Sequence, residues 1–187
     1  MRKIIVFNQI SLDGYFTGSN GDLSWAHKSR DDREWNDFVS GNAGGEGMLL
    51  FGRVTYEMMV SYWPTPMAAK NDPEVAEGMN SRAKIVFSRS LKHSNWNNTK
   101  IVADLLPGIR EMKKEPGSDL VILGSGTIVS QLTQQNLIDI YQIVVNPIAL
   151  GKGRTMFEGL DRPLDLHQTE SRTFSNGNTL LTYEAIR

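Results

Sequence analysis

Short β-branched runs alternate with helical patterns along most of this chain, and that alternation restricts the fold more than any other feature. The runs are KIIVFNQI (3–10), GMLLFG (47–52), KIVFS (84–88), TKIVA (99–103), DLVILG (119–124) and IYQIVV (140–145). Bounded by glycine, serine and charged residues, they read as strands, several of them apolar enough to be buried on both faces. Between them, Tyr56, Met59, Val60 and Trp63 fall at i, i+3, i+4 and i+7, one face of a helix that ends at Pro64. A second helical pattern starts at the cap-like Asp104 and stops before Pro116-Gly117, and a third carries the stripe Ile128, Val129 and Leu132. Strand-helix alternation of this kind predicts an α/β fold with a mostly parallel sheet and ligands at the carboxyl ends of its strands.

The last third breaks the alternation. LDLHQTESRTF and NTLLTYEAI flank Ser175-Asn176-Gly177, and Asn-Gly signals a hairpin because both residues tolerate positive φ. The sheet is therefore expected to finish in an antiparallel hairpin. Residues 64–80, with three prolines, read as a loop plus a short helix that borders a pocket. At 187 residues and 40% hydrophobic content, the chain has the size of one domain with a full core, spanning 1–187.

Composition narrows the partners. Twenty basic against 21 acidic side chains leave a net charge of -1, so no global field favours nucleic acid or an anionic membrane. The absence of cysteine removes disulfides, thiolate zinc sites and a cysteine nucleophile together. The apolar stretch Ile4–Phe7 is too short for a signal peptide or a membrane span, and a cytoplasmic protein is expected. His27, His93 and His167 lack ligand-like spacing and read as surface or packed residues. Trp25, Trp35, Trp63 and Trp96 read as core or pocket wall.

Three strand ends carry chemistry. At Gly124-Ser125-Gly126-Thr127, glycines permit a sharp turn and a close backbone approach, and a helix N-terminus follows, an arrangement suited to a phosphate. The spacing departs from the dinucleotide fingerprint, since Val129 stands where its third glycine would fall. The same residues also suit a plain tight turn. LLFGRVTYE places Gly52, Arg53, Val54 and Thr55 after a second strand, and IVFSRS places Ser88, Arg89 and Ser90 after a third. Two guanidinium forks and three small hydroxyls would suit a phosphate monoester such as the 2′-phosphate of NADP. A carboxylate, which an NAD site would want for the ribose hydroxyls, is absent from both strand ends.

With SLDGYFTGSNGDLSW (11–25), LLFGRVTYE (49–57), KIVFSRSL (84–91), DLVILGSGTIVSQL (119–132) and VVNPIALGKGRTMF (144–157) in order, the chain resembles the dihydrofolate reductase-like superfamily. More narrowly, it resembles a stand-alone version of the reductase domain of the bifunctional riboflavin-biosynthesis deaminase-reductase. The resemblance implies a three-layer α/β/α fold with a mostly parallel central sheet and a C-terminal antiparallel hairpin. It implies NADPH as cofactor, a homodimer, and hydride transfer to a pyrimidine- or pteridine-type heterocycle or its imine. Carried onto this sequence, Gly52, Arg53, Val54 and Thr55 meet the cofactor phosphates, with Arg53 on the 2′-phosphate. Ser88 and Arg89 flank the adenosine end, and Gly124, Ser125, Gly126, Thr127 and Ile128 take the pyrophosphate. The segment from Asp13 to Trp25 resembles the loop that closes over the nicotinamide, with Phe16, Asn20 and Gly21 as its contacts.

For a proton donor, the family pattern directs attention to SRDDREWNDF, where Asp31, Asp32, Glu34 and Asp37 stand and position counting favours Asp32 or Glu34. The same stretch also reads as a solvated acidic helix face with Trp35 and Phe38 packed inward. Lys152 and Arg154 in ALGKGRTMF meet either a substrate phosphate or only solvent. Reduction of a ribosylaminopyrimidine, folate reduction and non-catalytic NADPH binding stay open as functions.

Overall fold

A computed structural model describes residues 1–29 and 31–186; Arg30, in the acidic stretch above, and Arg187 lie outside it. Eight strands form one sheet in the order β5-β4-β3-β6-β1-β7-β10-β9, and a small second sheet pairs β2 with β8. The fold is mixed α/β, mostly parallel, with antiparallel strands at its C-terminal end, as the strand-helix alternation and the Asn-Gly signal predict. The chain groups into two compact units, residues 1–3 with 36–125 and residues 4–35 with 126–187.

The first unit holds β3 (Met48–Gly52), β4 (Lys84–Phe87), β5 (Thr99–Val102) and β6 (Leu120–Leu123). All its pairings are parallel: β3 with β4, β3 with β6, and β4 with β5. Strand β4 is buried throughout and β3 is buried at its three central residues. Leu49, Phe51, Tyr56, Met79, Val86 and Trp96 make the core cluster, with Phe51 stacked on Trp96 at 6.0 Å between centroids. Helix α2 (Arg53–Val60) follows β3, and its Tyr56 reaches that core as the apolar periodicity predicts. Helix α5 (Leu105–Lys114) follows β5.

Residues 64–80 differ from the expected loop with a single short helix. They contain two helices, α3 (Pro66–Asn71) and α4 (Pro73–Ser81), each with proline at its start. Proline at a first helical position costs no hydrogen bond and presets φ, so these prolines begin helices. Thr65 caps α3 by accepting from the Ala68 N–H at 3.2 Å. At the far end of α4, the buried Lys84 Nζ donates to the carbonyls of Met79, Asn80 and Arg82 at 2.9, 3.1 and 2.6 Å. Those carbonyls lack helical partners, and the ammonium meets the negative end of the helix. Burial first, and the Arg82 charge second, push this ammonium down to about 8.

The second unit holds β1 (Ile4–Ser11), β7 (Ile140–Asn146), β9 (Leu166–Thr173) and β10 (Thr179–Ala185). Strands β1 and β7 run parallel, and β10 runs antiparallel to both β7 and β9. The β9–β10 turn spans residues 174–178; Gly177 takes a positive φ of 84°, and Asn176 does not. The Asn-Gly pair thus marks the hairpin through one left-handed residue, in a longer loop than a two-residue turn. Helix α6 (Gly126–Gln134) buries Ile128, Val129 and Leu132. The second sheet joins β2 (Tyr15–Thr17) to β8 (Arg154–Thr155), and a Cβ on Gly153 would lie 2.1 Å from the Thr17 carbonyl oxygen. Helix α1 (Arg33–Ala43) opens in this unit.

Candidate functional site

Because β4, β3 and β6 are parallel neighbours, their carboxyl ends lie side by side on one edge of the first unit. Phe87 pairs with Gly52, and Leu50 pairs with Ile122. The exits at Ser88-Arg89, Gly52-Arg53 and Gly124-Ser125 are therefore adjacent, which no single motif could establish.

The Gly124-Ser125 turn is locked onto β3 and α2. Both residues are left-handed, at φ 64° and 55°. The Ser125 Oγ accepts from the Gly52 N–H at 3.0 Å, and the Ser125 N–H donates to Thr55 Oγ1 at 3.1 Å. A Cβ on Gly124 would sit 3.0 Å from Thr55 Cγ2. Two amides expected to face a phosphate thus serve the turn itself. The neighbouring α2 start differs: Gly52 at its N-cap makes no side-chain cap, and Val54 is 71% exposed. The first-turn amides of such a helix have no intrahelical acceptors and carry the positive end of its dipole.

Both arginines stand at this edge with their forks already engaged. Arg53 Nη1 donates to the two Glu57 carboxylate oxygens at 2.8 and 2.9 Å. Arg89 donates from Nε and Nη2 to Asp104 Oδ1 at 3.2 and 2.7 Å. Asp104 is the N-cap residue of α5 yet makes no cap bond; Pro107 stands three positions on, without the N–H such a cap would accept. The Ser88 Oγ accepts from the Ser90 and Leu91 amides at 3.2 and 3.0 Å. A carboxylate therefore reaches the β4 exit after all, contributed by the end of β5, which the strand-by-strand reading missed.

In the second unit, Gly126, Thr127 and Ile128 form the first turn of α6. The Phe16 ring covers it, since a Cβ on Gly126 would meet Phe16 Cε1 at 3.1 Å. Ile128 is buried. Asn20 and Gly21 are exposed at the tip of a turn closed by the Gly18 N–H to the Asp22 carbonyl at 3.0 Å. The base of that loop is anchored by Asp13, which accepts from Ser11 Oγ at 2.6 Å, Leu150 N–H at 3.1 Å and Gly151 N–H at 2.7 Å. These bonds, the Ser11 hydroxyl first, pull the Asp13 carboxyl down to about 2.

The two candidate proton donors sit where α1 begins, and both hold the β9–β10 turn. Asp32 accepts from the Trp35 N–H at 3.1 Å and from Asn176 Nδ2 at 2.7 Å. Glu34 accepts from the Ser175 N–H at 2.9 Å and from Arg172 at 3.3 Å. The Ser175 amide leads the causes that lower the Glu34 carboxyl, opposite to the raised value a neutral-pH acid needs. Trp35 packs inward, edge-on to Phe174 at 5.1 Å. Both carboxylates thus tie the start of α1 to the β9–β10 turn. Lys152, Arg154 and the three histidines are exposed, and no metal-holding group occurs among the described residues.

A mostly parallel sheet with glycine turns and arginines on adjoining strand ends, closed by an antiparallel hairpin, defines a mixed α/β fold of the dihydrofolate reductase type. The chain belongs to the RibD C-terminal domain family, which matches residues 2–180. It is 26% identical over 182 residues to the uncharacterized protein YyaP of Bacillus subtilis (strain 168), covering 97% of this chain and 94% of that one.

Solved structures share the fold. A putative riboflavin biosynthesis protein from Shewanella sp. PV-4 aligns with TM-score 0.76 at 23% identity, over 99% of each chain. A diaminohydroxyphosphoribosylaminopyrimidine deaminase/5-amino-6-(5-phosphoribosylamino)uracil reductase from Thermotoga maritima aligns with TM-score 0.67 at 13% identity, over 99% of this chain and 57% of that one. Dihydrofolate reductase from Enterococcus faecalis, complexed with NADP(H), aligns with TM-score 0.67 at 16% identity, over 99% and 97%.

Proposed function

We propose that this chain is an NADPH-dependent reductase that transfers hydride to a pyrimidine- or pteridine-type heterocycle or its imine, in the manner of 5-amino-6-(5-phosphoribosylamino)uracil reductases. The observation that carries the reading is the adjacency of three parallel strand ends, two of them bearing exposed arginines beside an uncapped helix start. That combination fits a bulky polyanion better than a neutral metabolite. Arg53 takes the 2′-phosphate, Ser88 and Arg89 flank the adenosine end, and the backbone from Gly124 to Ile128 lies along the pyrophosphate. The Asp13 anchor holds the base of the loop that carries Phe16, Asn20 and Gly21, which keeps water from the reacting carbon. Bound NADPH supplies the hydride.

Reduction of a C=N bond consumes one hydride and one proton. With Asp32 and Glu34 bound to the hairpin turn, we assign the proton to water, which disfavours folate reduction. The same engagement favours one second reading, an NADPH-binding protein without turnover. We also propose a homodimer, which sedimentation at twice the 20.9 kDa chain mass would reveal. Loss of NADPH absorbance with a ribosylaminopyrimidine, and none with dihydrofolate, is the expected result. Oxidation with dihydrofolate alone would overturn the substrate assignment, and binding without any oxidation would establish the second reading.

A further inference from the structure

The charges at the strand-end edge cancel in a way that bears on which dinucleotide is accepted. Arg89 leaves β4, and Asp104 closes the neighbouring β5 exit. The two meet through Nε and Nη2 on one carboxylate oxygen, with side chains 82% and 56% exposed. Asp104 makes no cap bond to α5, so this pair is its side chain's engagement at the strand-end edge. An anionic phosphate approaching Arg89 must displace this carboxylate or share its guanidinium, so the pair lowers what Arg89 can give it. A ribose bearing only hydroxyls meets the opposite situation, because a carboxylate accepts hydrogen bonds from vicinal hydroxyls.

We infer that Asp104 sets the dinucleotide preference of this chain: by pairing with Arg89 at the adenosine end, it keeps a second guanidinium from joining Arg53 on the 2′-phosphate and offers an acceptor to a free 2′-hydroxyl, so that NADH is bound alongside NADPH. The inference rests on the proposed cofactor reading and adds to it a specificity residue at a strand exit that reading does not use. Asp104 acts on the phosphate through Arg89 and is a positioning residue in that respect.

The test is dinucleotide binding by calorimetry to the full chain and to Asp104→Asn, Arg89→Gln and the double variant. Asparagine keeps the size of the side chain while removing its charge, and thermal melts check that each variant is folded. In Asp104→Asn, NADPH should bind about three- to fivefold more tightly and NADH about threefold more weakly, moving their ratio by roughly tenfold. The NADPH gain should fade at high salt and vanish in the Arg89→Gln background. An unchanged ratio in Asp104→Asn, or the same NADPH gain with Arg89 removed, overturns the inference while NADPH binding by the parent chain leaves the cofactor reading standing. Failure of the parent chain to bind either dinucleotide overturns both.

Discussion

Ser125 offers a test of how the phosphate-facing turn is built, because two opposing contributions meet in one side chain. Its Oγ receives the Gly52 N–H at 3.0 Å, while its backbone sits at φ 55°. Replacement by alanine removes the acceptor and leaves the strained backbone in place. A buried donor left without a partner costs about 1–3 kcal/mol; Gly52 is half-buried, so water recovers part of this and a loss of about 1–1.5 kcal/mol is expected. Replacement by glycine removes the same acceptor but relieves a left-handed conformation that costs a residue with a Cβ roughly 1–2 kcal/mol. Against that gain stands the added freedom of glycine in the unfolded chain, about 0.5–1 kcal/mol. Ser125→Gly should therefore be more stable than Ser125→Ala by about 0.5–1 kcal/mol. Urea unfolding of the three proteins measures this directly. For a chain of 187 residues, each kcal/mol corresponds to roughly 2–4 °C in Tm, so thermal scans give a second measure. An alanine variant as stable as the parent, or a glycine variant less stable than alanine, would refute the account of Ser125 as a strut under backbone strain.

Other consequences can be checked separately. Arg53→Ala should cost roughly 1.5–3 kcal/mol of NADPH affinity and much less for NADH; equal losses in titrations of both would mean that this arginine does not meet the 2′-phosphate. Gly78→Ala places a Cβ 2.4 Å from the Ala43 carbonyl oxygen and 2.7 Å from its carbon. Backbone cannot swing aside as a side chain would, so overpacking should destabilise by about 1–3 kcal/mol in chemical denaturation. The Asp13 carboxyl lies at about 2, below its ordinary 3.8. Its contribution is thus full above pH 3.8 and is lost as pH falls toward 2. The Gly151 amide resonance should titrate with a midpoint near pH 2 in the parent and lose that transition in Asp13→Asn; a parent midpoint near pH 4 would show that the anchor does not form.

Local chemistry made much of this protein legible in its amino-acid order. Continuous β-branched runs have few alternatives to buried strands, which is why β3, β4 and β6 fall within a residue or so of their expected bounds. The Tyr56–Trp63 periodicity likewise led to a helix packed on the core, but α2 stops at Val60, short of Pro64, and Trp63 reaches the same core from the turn beyond it. Glycines at 124 and 177 marked turns because both adopt positive φ. The prolines of residues 64–80 were harder, since the same residue that breaks a helix interior also starts a helix, and only the cap at Thr65 and the packing of Ala68, Ala76 and Met79 decide between these roles.

Side-chain partners far apart in the chain belonged to the tertiary structure. Lys84 opens its strand like a polar boundary residue, yet it is buried over Trp96 because three helix-end carbonyls are there to receive it. Asp13 and Gly151 lie in separate glycine-rich motifs, and Asp104 looks like a helix cap until Arg89 arrives from the adjoining strand. Asp32 and Glu34 carry the composition of an acid site but meet a hairpin turn more than a hundred residues away. Propensity and periodicity act over a few residues and so determined the elements and their glycine turns. Which charges neutralise one another depends on separations of a few ångströms that arise only when the strands pair in register, and there the tertiary structure alone decided.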